Sequence, residues 1–220
     1  MKSFPAIQQR IRNWGSVVAA GYLVALWCAG LASAEDVSSR GALGTFISFS
    51  APGSTNTYPY AINNGMTITG YYVGADKAIH GFVRDPWFGT VTSFDPAGSH
   101  ETVPYVINLG GTTTGYYEDT NDVYHSYVRD WFGTRITSFD PPGSIHTSAY
   151  AINFWGTATG YYWDAQSVLH GWLRDSQGTI TSFDPPGSIY TYPDGINDFG
   201  AITGIWTNVL GLNFGFLRLP

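Results

Sequence analysis

The sequence predicts an all-β protein, a four-bladed β-propeller, and three observations carry that expectation. One phrase returns four times at nearly constant spacing: its glycines Gly70, Gly115, Gly160 and Gly204 lie 45, 45 and 44 residues apart. Arg84, Arg129, Arg174 and Arg218 keep the same intervals, as do Phe49, Phe94, Phe139 and Phe183. A repeat of this length, built from short strand-like runs, is the signature of a radial array of small sheets. Next, no stretch after the N-terminal segment carries a helical period. Finally, the ends of the array are complementary. The last unit stops at Pro220 after its third strand, and residues 45–49 read as a fourth strand with no first three before it. The expected closure pairs residues 46–49 with residues 214–217, so that the N-terminal strand completes the last blade. Closure of this kind covers edges that otherwise invite aggregation.

The second unit shows the elements in order. Residues 105–108 form strand A and end at a turn bearing Gly110 and Gly111. Residues 112–117, rich in threonine and aromatics, suit strand B. A polar loop at 118–123 follows, then strand C at 125–129, a turn at 131–133 and strand D at 135–139. Asp140-Pro141-Pro142-Gly143-Ser144 ends the ladder, because proline has no donor and a fixed dihedral, and begins the crossing to the next unit. Small residues two positions before each strand-A asparagine (Ala61, Val106, Ala151, Gly195) predict a narrow channel where four inner strands converge.

Residues 1–34 stand apart from the array. Lys2, Arg10 and Arg12 precede an apolar run at 17–31, and Ala32-Ser33-Ala34 is a small-residue cleavage sequence. That is the layout of a signal peptide; uncleaved, a run of about 18 apolar residues is also long enough to anchor in a bilayer. The Ala-x-Ala pattern favours cleavage. The expected organisation is a signal peptide at 1–34, a linker at 35–44 and the array at 45–220, in a secreted or periplasmic protein. Cys28, the one cysteine, leaves with the signal, so neither disulfide nor thiolate chemistry is expected. Removing Lys2, Arg10 and Arg12 from ten basic residues leaves seven against sixteen acidic ones, a formal charge of −9. Nucleic acid and anionic membrane are poor partners for such a surface.

A residue type that recurs in every repeat is explained first by the unit's own structure. His80, His125 and His170 share one position, with Phe214 in the fourth unit. On strand C of separate blades they would stand roughly 20 Å apart, whereas a zinc–nitrogen bond is about 2 Å. They are read as structural, and no metal is expected. The same holds for the four arginines. Asn63, Asn108, Asn153 and Asn197 suit the start of a turn, or a ring at one mouth of a channel. Asp95, Asp140 and Asp184 suit the crossing turn, and Glu118, Asp119, Asn121 and Asp122 a solvated loop. No nucleophile elbow, P-loop, zinc-protease helix or EF-hand occurs, so no catalytic residue and no cofactor is expected.

The sharper signal is aromatic. Trp87, Phe88, Trp131, Phe132, Phe154 and Trp155, with Phe199, all fall in A–B or C–D turns, which emerge on one end of a meander. Turn tips are ordinarily polar, so large rings there suggest a contact surface for a glycan or a protein partner; folded back over the blade edges they would be core. The expected function is a binding or structural module without catalysis. The alternative is a polysaccharide hydrolase or lyase, by fold analogy.

Ala-Ile-Asn-x-x-Gly, then Gly-Tyr-Tyr, then His-Gly-Phe-x-Arg-Asp resembles the bacterial extracellular repeats called the HAF family, after a His-Ala-Phe motif. The matching triplets are His80-Gly81-Phe82, His125-Ser126-Tyr127 and His170-Gly171-Trp172, while Phe214-Gly215-Phe216 lacks the histidine. The resemblance covers residues 45–220. It implies a secreted repeat protein and brings no catalytic residue with it.

Overall fold

A computed structural model describes residues 37–41 and 44–220, and those residues form strands and no helix. Strands β1 (Val37–Gly41) and β2 (Gly44–Ser48) make an antiparallel hairpin. Four meanders follow. The first comprises β3 (Asn56–Ile62), β4 (Ile68–Val73), β5 (Ile79–Arg84) and β6 (Val91–Phe94). The second comprises β7 (Ser99–Ile107), β8 (Thr113–Asp119), β9 (Tyr124–Arg129) and β10 (Ile136–Phe139). The third comprises β11 (Ser144–Ile152), β12 (Ala158–Asp164), β13 (Leu169–Arg174) and β14 (Ile180–Phe183). The fourth has three strands, β15 (Ser188–Ile196), β16 (Ile202–Asn208) and β17 (Asn213–Arg218). The signal-peptide expectation falls on residues outside those described. The segment expected as a linker, 35–44, contains β1.

The A–B–C–D reading holds in the first three units and A–B–C in the fourth, with one difference in length. The first strand is nine residues in units two to four, because the Asp-Pro segment is one tight turn rather than a long crossing. Ser144 donates its amide to the Pro141 carbonyl at 3.1 Å and its hydroxyl to the same oxygen at 2.7 Å. The chain then re-enters a strand at once. A bulge interrupts every first strand opposite the repeat glycine, between Pro59 and Ala61, Pro104 and Val106, Ala149 and Ala151, and Pro193 and Gly195.

Single parallel bridges, Ile79 with Glu101 and Leu169 with Tyr190, join units one and two into one large sheet and units three and four into another. Side chains make the rest of the joint. Phe82, Tyr127 and Trp172 stand at one repeat position and are fully buried. Each receives, edge-on, the phenylalanine that ends the preceding fourth strand: Phe94 on Tyr127 at 5.9 Å, Phe139 on Trp172 at 5.3 Å. The repeat arginines cover the same rings, Arg129 over Phe94 and Arg174 over Phe139, both at 4.8 Å. A guanidinium over an aromatic face is attracted by the ring quadrupole. The arginines thus link neighbouring units rather than bond only inside their own.

The expected closure is not formed. β2 pairs along its length with β1, and β17 pairs with β16 alone among the described residues. The inner strands β3, β7, β11 and β15 each approach the next, whereas β15 makes no comparable approach to β3. Phe49 still packs on Phe82 at 6.1 Å and under Arg84 at 4.9 Å, as Phe94 and Phe139 do on the rings and arginines of the units that follow them, so this segment holds a fourth-strand place beside the first unit without pairing to β17. The described architecture is therefore all-β, with two large sheets in an open array of four units.

Candidate functional site

Two kinds of turn build the aromatic end. In the C–D turns an aspartate gathers backbone amides. Asp85 accepts from Trp87 at 3.0 Å, Phe88 at 2.7 Å and Thr90 at 2.9 Å. Asp130 accepts from the Thr134 amide at 2.8 Å and the Arg135 amide at 3.2 Å. These donated bonds, led by Phe88, hold the Asp85 carboxyl below its ordinary value. A carboxylate that fixes several amides leaves its turn one conformation, so the rings at its tip have a fixed base.

The A–B turns use asparagine. Asn153 accepts from the amides of Trp155 and Thr157, both at 3.0 Å, and Asn108 accepts from Thr112 at 2.9 Å. The same amides link the units, because Asn63 Nδ2 donates to the Asn108 carbonyl at 3.0 Å, Asn108 to Asn153 at 2.9 Å, and Asn153 to Asn197 at 3.1 Å. Asparagine does both jobs because one side chain carries an acceptor and a donor. Adjacent turns also touch: Phe154 donates its amide to Asp198 at 2.9 Å, and Gly111 lies against Trp131.

All six rings singled out from the sequence lie on this end and face solvent, with fractional exposures from 44 % at Phe154 to 89 % at Phe88. They do not fold back as core. Trp131 and Phe132 meet with centroids 3.4 Å apart and planes at 34°, and Phe154 and Trp155 meet edge-on at 5.0 Å. Phe199 joins them, also exposed. The third C–D turn, Ser176-Gln177-Gly178, carries no ring, so the surface is asymmetric around the array.

The histidines serve their own units. Nδ1 of His80, His125 and His170 contacts Asp95 at 2.7 Å, Asp140 at 2.8 Å and Asp184 at 2.7 Å, the carboxylates at the start of each crossing turn. Nε2 reaches a carboxylate of the B–C loop, Asp76 at 3.4 Å or Asp164 at 3.3 Å. The two carboxylates engage opposite sides of the ring and do not converge on one point. Among the described residues no group of three or more His, Cys, Asp and Glu is arranged for a metal ion. The crossing aspartates thus clamp the histidine, a partner that sequence spacing did not reveal. In the acidic loop, Asp119 accepts from the Val123 and Asn121 amides, which lowers its carboxyl to about 2.

Partial burial opposes charging His80 and His170, but the hydrogen bonds and charges of their two aspartates outweigh it and raise both. His146 moves the other way, lowered by burial and by the nearby His125. A histidine raised in the folded state contributes stability fully below its unfolded value of about 6.5 and loses it as pH rises through the folded value. In an NMR titration of the ring nitrogens, His80 and His170 are expected to titrate above about 6.5 and His146 below it. Titration of His170 at or below His146 would contradict the clamp.

Sequence reading missed a row of tyrosines. Tyr60, Tyr105 and Tyr150 occupy one position of the first strands, at 5.7 Å and 4.8 Å between successive rings, and Asp194 stands there in the fourth unit. Tyr150 continues to Tyr161 at 5.2 Å, and Tyr161 to Tyr192 at 5.2 Å. Tyr116 donates its hydroxyl to Glu101 at 2.8 Å. Burial pushes the Tyr105, Tyr116 and Tyr161 phenols well up, so these hydroxyls stay neutral donors. The recurrent Tyr-x-Ile-Asn spacing was the available signal.

The chain matches no family model and no curated protein. Among solved structures it is similar to AofleA from Arthrobotrys oligospora, with a TM-score of 0.47 and 21% identity over 80% of this chain and 59% of that one. It is similar also to a variant of AofleA with three arginines replaced by alanine, with a TM-score of 0.45 and 19% identity over the same shares of the two chains. The chain thus spans about three fifths of the length of those structures, 59%.

Proposed function

We propose that this chain is an exported, non-catalytic binding module whose four units are blades of a β-propeller, and that its ligand is a glycan held on the turn end. The observation that carries the reading is the set of rings (Trp87, Phe88, Trp131, Phe132, Phe154 and Trp155) exposed on turns whose backbone amides are held by aspartate and asparagine. Flat rings fixed in place before binding contribute apolar area at little entropic cost, and tryptophan adds one N–H donor. Carboxylates at the ring bases supply acceptors for hydroxyl groups. Membership among HAF-type repeats and removal of residues 1–34 belong to the same reading, and N-terminal sequencing of the protein recovered outside the cytoplasm tests the second.

The binding test is a glycan panel probed with the purified protein and its Trp131→Ala and Trp155→Ala variants. Each variant is expected to weaken binding roughly thirtyfold, as loss of about 2 kcal/mol at a hot spot implies. Their melting temperatures should stay within about 2 °C of the parent, because exposed side chains carry little stability. A melting temperature that falls by 6 °C or more, roughly what losing a buried ring would do, would make these rings structural. Capture of a protein instead of any glycan would change the ligand class. Steady release of cleaved product would replace the binding module with the hydrolase or lyase.

A further inference from the structure

The joint between neighbouring units recurs three times inside the chain, and each end of the array presents one half of it uncovered. Ile107 and Ile152, which face the preceding unit, are 5 % and 6 % exposed, whereas Ile62 at the same repeat position in the first unit is 62 % exposed. On the opposite face, Val83 and Val128 pack against the clusters of the following units, whereas Leu217 at that position in the last unit is 68 % exposed. Thr69, Thr114 and Thr159 are fully buried, and Thr203 in the last unit is exposed. Tyr161 meets Tyr192 of the next unit at 5.2 Å; the equivalents at the two ends, Ile205 and Tyr58, both face solvent.

Polar contacts break at the same place. The relay in which each strand-end asparagine donates to the next unit's carbonyl runs from Asn63 to Asn197. Among the described residues, Asn197 Nδ2 has no such acceptor and the Asn63 carbonyl no such donor. Backbone edges follow suit. Within each of the first three units the fourth strand aligns its phenylalanine opposite Gly81, Ser126 or Gly171 of the third strand. β17 carries Gly215 at that position with its outer edge unpaired, and β2 leads into Phe49, which already occupies the fourth-strand place against Phe82 and Arg84.

We infer that a second copy of this chain docks head to tail, with residues 46–49 of one copy pairing along residues 213–218 of the other and Ile62 and Tyr58 covering Leu217 and Ile205. The internal joint is the established interface, and the two ends are its halves. A heterologous contact closes into a ring when its rotation permits. Two copies joined twice give eight units, within the range of natural propellers of typically about 4–8 blades. The inference rests on the blade reading above and is independent of the glycan, since the docking rings lie on the turn end and not in the joint.

The test uses the full chain in a Cys28→Ser background, with Ile62→Cys and Leu217→Cys installed together and a short bis-maleimide added. Expected are a dimer mass in sedimentation before cross-linking and a doubly linked dimer after it. Leu217→Asp alone should raise the dissociation constant roughly thirtyfold or more, because a lone carboxylate would be buried in the joint. A cross-link formed within one chain would overturn the proposal in favour of self-closure. A monomer at every concentration, uncross-linked, would overturn it as well, and a ladder of larger species would exclude the two-copy ring. Failure of glycan binding leaves these outcomes untouched.

Discussion

Trp172→Ala is expected to lower the melting temperature by roughly 10 °C, the larger of the side-chain effects open to this protein. Trp172 is fully buried and packs with Ala149, Ile152, Ala158 and Tyr162, while Phe139 of the preceding unit meets it edge-on at 5.3 Å. Its ring also lies directly on Gly160, where an added Cβ would come within 2.8 Å of Cζ2. Its neighbours sit on paired strands, so the space cannot collapse when the ring is removed. Truncating a buried aromatic costs about 3–5 kcal/mol, and in a chain of this size each kcal/mol moves the midpoint by about 2–4 °C. Trp172→Phe should cost far less, because the same position holds Phe82 in the first unit and Phe216 in the last. Thermal unfolding followed by circular dichroism measures both. A drop of less than about 3 °C for the alanine variant would mean that the joint repacks and is not what holds the units together.

Much of this was legible because repetition averages out local ambiguity. Four copies of one phrase located strands B, C and D of the repeat to within a few residues, though strand A begins six residues earlier than expected and β1 lies in the segment expected as a linker; the aromatic turn tips were assigned to one end from meander geometry alone. Their exposure was open in the sequence, since a ring at a turn can face out or fold back. The structure decides it: the rings face solvent, on turns whose backbone amides Asp85 and Asn153 hold. Partners were the least legible part. The histidine–aspartate clamps join residues about 15 apart in sequence, and the asparagine relay joins residues 44 or 45 apart. Neither separation marks a contact until strand register is known. Closure failed as an expectation for a similar reason. Complementary ends show that two surfaces fit, but whether they meet depends on the rotation from one unit to the next. That rotation is set by side-chain packing at the joint, and strand order does not encode it.

Gly115→Ala is expected to abolish folding, although it adds one methyl group. A Cβ at Gly115 would overlap the carbonyl oxygen of Val103 and stand 2.9 Å from the Cα of Pro104 and 3.0 Å from the amide nitrogen of Tyr105. All three are backbone atoms of β7, so no side-chain rotation relieves the contact. The approach exists because Tyr105 is the extra residue of the bulge: Pro104 pairs with Gly115, Val106 pairs with Thr114, and the chain between them bows toward β8. The same collision awaits at Gly70, Gly160 and Gly204, against the carbonyls of Tyr58, Ser148 and Tyr192. That is why this glycine marks the repeat. Removing the bulge would shift the register by one residue and turn Ile107 and Asn108 to the wrong faces, which uncouples the asparagine relay from the buried joint. A loss above about 4 kcal/mol is expected, comparable with the whole stability of a domain at about 5–15 kcal/mol. Gly195→Ala is the matched control. A Cβ there meets only Thr203 Cγ2 at 3.6 Å, an ordinary contact, and the same position holds Ala61, Val106 and Ala151 in the other units. That variant should melt within about 2 °C of the parent. Recovery of Gly115→Ala as a soluble protein with a parental strand signal would show that the bulge can relax. The repeat glycine would then need another cause than the backbone of the inner strand.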